Sequence, residues 1–173
     1  MRLLSIQPIY SPIFYFYMSK STDLDLNSAK DTISIALIRE ALSVAASRGL
    51  DILHIANQAG VSVELLSSTK ARVPVMQCAR LWIELAEHMN DEFLGMDCHP
   101  MRRGSYSLLA KLAFCAETLE QAIQEILKFL SLVLDDIQGE LIQQGAKAYL
   151  ILHDREHPKR MFTYSTYLML VHS

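Results

Sequence analysis

Nothing in this sequence is gathered into a known reaction signature. Its six glycines are scattered singly along 173 residues, which leaves no phosphate-cradling loop, dinucleotide fingerprint or nucleophile elbow. Cys78, Cys98 and Cys115 are the only cysteines. An odd count without a C-x-x-C pair argues against a disulfide framework and a structural zinc site. Buried free thiols in a reducing compartment are expected instead. Basic charge is also short: 16 Lys and Arg stand against 19 Asp and Glu, for a net charge of −3. Compact DNA-binding domains are usually basic, because phosphate neutralisation supplies most of their affinity, so the balance disfavours DNA binding by this chain alone.

Half the residues (51%) are hydrophobic and 20% are charged, the balance of one globular domain with a real core. The first segment, Met1 to Met18, carries an apolar run broken by Pro8 and Pro12 and followed by no small-residue cleavage site. It reads neither as a signal peptide nor as a membrane span. Met18 opens a polar stretch typical of a true start, and residues 1–31 are expected to be a disordered or mis-assigned extension.

From Ser34 the apolar spacing turns helical, through Ile35, Ile38, Leu42 and Ala45, with Gly49 as the left-handed stop. Asp51 is placed to cap a short helix that ends before Gly60, and Val63, Leu65 and Leu66 open another. A fourth helix begins at Pro74, and a fifth covers Ser105 to Cys115 after a Pro- and Gly-containing loop. Thr118, with Gln121 three residues on, forms a capping-box pattern before a stripe from Leu119 to Leu134. The period then becomes two: residues 139–154 predict two strands turning at Gly145. The fold class is therefore α+β, with a mostly helical N-terminal part, a β-hairpin and a C-terminal helix. That last helix carries Phe162, Tyr164, Tyr167, Leu168, Leu170 and Val171. So apolar an end is expected to be exposed and sticky, as though the domain were truncated.

Asn57 to Leu66 reads as a helix-turn-helix bent at Gly60-Val61. A DNA-reading second helix presents Arg, Lys, Asn or Gln to base edges. This one offers Val63, Glu64, Leu65 and Leu66, and its only long polar side chain is a carboxylate. His153 to His157 spells H-x-x-E-H, a zinc-protease pattern that needs both histidines on one helix. Here His153 ends a predicted strand and Pro158 follows, so a polar loop is expected and no metal. Asp135-Asp136 reads as a solvated helix end, since adjacent helical residues point about 100° apart. No enzyme is expected. The best ligand-binding candidates are Arg102 and Arg103, beside His99 and Tyr106, in a loop near the hairpin.

Several short markers now fall in order: Arg48-Gly49-Leu50-Asp51, Ala59-Gly60-Val61, Arg72-Val73-Pro74, Asp91-Glu92-Phe93-Leu94-Gly95, Gly104-Ser105 and Thr118-Leu119-Glu120-Gln121-Ala122. From Thr32 to its end the chain resembles the N-terminal effector domain, of "arabinose-binding" type, of AraC-type bacterial transcriptional regulators. The resemblance implies a cytoplasmic domain over residues 32–173 that senses a small-molecule effector and forms a homodimer. DNA would be reached only through a C-terminal helix-turn-helix domain absent from this chain, and no cofactor or membrane contact is implied. The dimer face is expected on the Thr118-capped helix, at Ile126, Phe129, Leu130 and Val133. The competing reading is a stand-alone interaction module that pairs with full-length relatives.

Overall fold

The computed structural model describes residues 32–172, so the expected extension over 1–31 lies outside the described residues. Two antiparallel two-stranded sheets and seven helices make up the described part, an α+β arrangement. The first sheet escaped sequence reading. Its strands β1 (Thr32–Ser34) and β2 (Arg72–Pro74) pair as Thr32↔Pro74 through Ser34↔Arg72. Three-residue strands are too short to show a period of two. Arg72 fastens this sheet, its Nε donating to Thr32 Oγ1 at 2.6 Å.

Between these strands lie α1 (Ile35–Ser47), α2 (Ile52–Gln58) and α3 (Val63–Ser67). Ser34 accepts from Ala36 N, and Asp51 Oδ1 accepts from Leu53 N and His54 N, so both expected N-termini are capped. The helix-turn-helix bend is present, but α3 is a packing element. Leu65 and Leu66 rest on the core, and Arg39 of α1 grips the end of α3 through Leu66 O and Ser68 O (2.8 Å each). With α4 (Val75–Met89), α1 and α2 enclose the first core, around Ile38, Ile55, Leu81 and Trp82.

The second core is built by α5 (Ser105–Phe114), α6 (Leu119–Val133) and the hairpin of β3 (Ile137–Gln144) and β4 (Lys147–Asp154). The hairpin turns on Gly145-Ala146, and only the glycine has positive φ (63°). That is the arrangement of a type II′ turn, whose hand matches strand twist. At the start of α6, Thr118 Oγ1 accepts from Gln121 N, while Gln121 Oε1 accepts from Glu117 N instead of from the cap residue.

Burial corrects three expectations. Ile126, Phe129 and Leu130, expected on a dimer face, are 6%, 9% and 0% exposed within the chain, and Val133 is half-buried. The reason is that α6 meets α5, β3 and α7 (Met161–His172) at once, so its wide apolar arc is consumed internally. Leu119 and Leu132 are the large apolar residues of α6 left open. The terminal run is likewise not an exposed end: Phe162 and Met169 enter the first core, Tyr167 and Leu170 the second. Thus α7 joins the two cores, each large side chain contributing about 1.5–3 kcal/mol. Lastly, only Cys78 is a buried thiol, while Cys98 and Cys115 are exposed.

Candidate functional site

The loop over residues 90–104 is shaped by three acidic side chains. Asp91, fully buried, accepts from Phe93 N and Met101 N through Oδ1 (2.9 Å each) and from Gly95 N through Oδ2 (2.8 Å). Burial pushes its pKa up, against the pull of those hydrogen bonds and of Arg48. Glu92 accepts from Gly104 N and Tyr106 N (2.9 and 2.6 Å) and so caps α5, whose own N-cap residue is a glycine. Asp97, 4% exposed, reaches outside the loop. It accepts from His99 N at 3.0 Å, Asp136 N at 2.7 Å and Asp135 N at 3.1 Å, tying the loop to the junction of α6 and β3.

The four expected ligand residues do not converge on one another. Arg103 pairs with Glu87 of α4 at 2.8 Å, and Arg102 is exposed. Tyr106 is 8% exposed and belongs to the second core. His99 alone reaches the hairpin side, its Nδ1 2.6 Å from Asp135 Oδ2.

Asp135 opens onto a groove of about 390 Å³ whose other walls are Gln138, His153, Asp154 and Arg155. The register decides this set, because Gln138 lies directly across from His153. His153 Nε2 is 2.9 Å from Glu140 Oε2, and Arg155 Nη1 is 3.9 Å from Asp135 Oδ2. Tyr164 of α7 donates to Asp154 Oδ2 at 2.5 Å, while Asp154 Oδ1 is buried with no hydrogen-bond partner in the protein. A buried acceptor left unmet costs about 1–3 kcal/mol, so this atom calls for a donor. Behind the groove Lys159 Nζ lies 3.0 Å from Asp136 Oδ2, and that hydrogen bond holds Asp136 below the usual carboxylate range. The H-x-x-E-H pattern has no common helix: His153 lies on β4, and residues 155–157 form bends after it.

Beside the groove, Asp97, Cys98 and His99 bring one metal-ligating atom each within 4.8 Å of the others. Burial and the carboxylates of Asp97, Asp136 and Asp135 push the Cys98 thiol up. Sequence reading did not assemble the groove or this corner, because Arg155 lies 20 positions from Asp135 and Asp135 lies 36 positions from His99. The available signal was the hairpin turn, which fixes the strand register and thereby places Gln138 beside His153.

A family model described as the N-terminal arabinose-binding domain of AraC transcription regulators matches residues 49–173. Comparison with curated proteins and with solved structures returns no match.

Proposed function

The chain belongs to the N-terminal arabinose-binding domain family of AraC transcription regulators, and from that premise we propose that it senses a polar, hydroxyl-bearing small molecule in the Asp135–Arg155 groove. The buried, unpartnered Asp154 Oδ1 carries this reading. A ligand hydroxyl meets that acceptor once the Asp154 side chain turns toward the groove it lines, and Arg155 and Gln138 can serve the ligand's own oxygens. The groove sits where β3, β4 and the loop before α7 converge, so an occupant favours one arrangement of hairpin against α7. Signalling then follows as a population shift passed to attached DNA-binding units. A homodimer is part of the proposal. Its contact moves off the buried α6 residues to Phe114 and Leu119 at the α5–α6 turn, 86% and 77% exposed, and Phe114→Glu is the variant that weakens it in sedimentation velocity.

No helix among the described residues is long and apolar enough to cross a membrane. The test is calorimetry of the chain against a panel of pentoses, hexoses and polyols. Binding by one member, lost in Asp154→Asn and Arg155→Ala but kept in Arg102→Ala/Arg103→Ala, supports the groove. Loss in the arginine pair alone moves the site to the loop. Sequence-selective binding of duplex DNA by this chain would overturn the assignment of DNA contact to another domain.

A further inference from the structure

We propose that Cys98, His99 and Asp135 form a site for a divalent cation of the zinc class. The proposal shares Asp135 with the groove but does not depend on the sensing reading or on the H-x-x-E-H pattern. Three different ligand chemistries converge: a thiol sulfur, an imidazole nitrogen and a carboxylate oxygen. Cys98 Sγ is 3.6 Å from His99 Nδ1 and 3.8 Å from Asp135 Oδ2, and the latter two atoms are 2.6 Å apart.

Those separations can be compared with a tetrahedral ion. Bond lengths of about 2.3 Å to sulfur and about 2.0–2.2 Å to nitrogen and oxygen give edges near 3.5 Å to sulfur and roughly 3.3 Å between nitrogen and oxygen. Both sulfur edges are thus within a few tenths of an ångström. The third must open by about 0.7 Å, and the side chains concerned are 67% and 43% exposed, so both have room to turn. Soft and borderline ligands together select zinc, cobalt(II) or nickel over magnesium or calcium.

The backbone beneath this trio is held in advance. Asp97 accepts from His99 N and from the amides of Asp135 and Asp136, 38 and 39 positions further on, which fixes these segments in one corner. Asp97 is the positioning residue. Its carboxylate, with those of Asp135 and Asp136, makes the corner acidic, and the cations facing it are Arg155, 3.9 Å from Asp135, and Lys159, already paired with Asp136. A metal ion bound there would release the proton of the Cys98 thiol to solvent and form the sulfur bond with the resulting thiolate.

The test is titration of the untagged full chain with cobalt(II), followed by displacement with zinc. One equivalent is expected, with a near-ultraviolet thiolate-to-cobalt band and strong visible bands of a tetrahedral ion. Cys98→Ser should abolish the thiolate band, and His99→Ala or Asp135→Asn should weaken binding by at least about tenfold. Cys115→Ser and His153→Ala should leave it intact. Zinc should also protect Cys98, and not Cys115, from alkylation in the unaltered chain, a readout that needs no variant to fold. Absence of the thiolate band, its loss in Cys115→Ser, loss of binding in His153→Ala, or no protection of Cys98 would each overturn the site.

Discussion

Tyr167 of α7 stands against Gly139 of β3 so closely that a Cβ on the glycine would meet the tyrosine hydroxyl at 2.8 Å and Leu127 Cδ2 at 2.6 Å. Three elements thus share one point, and only a residue without a side chain fits there. Burial raises the Tyr167 phenol to about 12, consistent with a ring kept from water.

Gly139→Ala is therefore expected to destabilise the chain by about 1–3 kcal/mol through overpacking. A urea melt reads this directly as a lowered midpoint with an unchanged slope. A variant as stable as the original chain would show that the contact yields freely.

Asp97→Ala removes the acceptor shared by His99, Asp135 and Asp136. The loss should be about 2–3 kcal/mol, as for hydrogen bonds to a buried charged group. Amide exchange should quicken at Asp135 and Asp136. Asp135→Asn, which leaves those amides bonded, should cost under about 1 kcal/mol. Equal effects from the two variants would deny Asp97 its positioning role.

Asp136 supplies the pH dependence. Its pKa is lowered in the folded chain by the Lys159 hydrogen bond, from an ordinary value of 3.8. A depressed folded pKa contributes stability that is complete above the unfolded value and is lost as pH falls through the folded one. Lys159→Ala should accordingly be less stable at neutral pH by up to about 1 kcal/mol. The two proteins should converge below the folded pKa. A difference that persists unchanged in strong acid would assign the effect of Lys159 to packing.

The three thiols should separate by reactivity. Cys78 is fully buried and its thiol is pushed up to about 12 by that burial, while Cys98 and Cys115 are exposed. Burial therefore keeps Cys78 in its thiol form, and the thiolate is the nucleophile. Two thiols per chain should react with a disulfide reagent before unfolding and the third only after it. Three fast thiols would mean that the first core opens readily.

Local chemistry was legible in the residues themselves. Asp51 and Thr118 each cap the helix they were expected to cap, the first helix starts at Ser34 where the helical spacing begins, and Gly145 turns the hairpin. These are interactions over two to four residues, so a short window of sequence contains both partners. The family markers were legible for the same reason, yet their physical work appeared only in three dimensions. Asp91 and Glu92 fold the loop behind them, and Arg48 donates to the carbonyl of Gly95 at 2.9 Å.

Tertiary structure alone decided which apolar surface stayed open and which polar groups met. The stripe of α6 and the terminal run were visible as apolar, but whether a chain mate or solvent faces them depends on packing among distant elements. Phe129 is buried and Leu132 is 78% exposed although they are three residues apart on one helix. The groove and the Cys98–His99–Asp135 corner join residues up to 20 and 37 positions apart, respectively the span from Asp135 to Arg155 and from Cys98 to Asp135. Periodicity shows which face of an element is apolar, and only the folded arrangement supplies the neighbour that covers it.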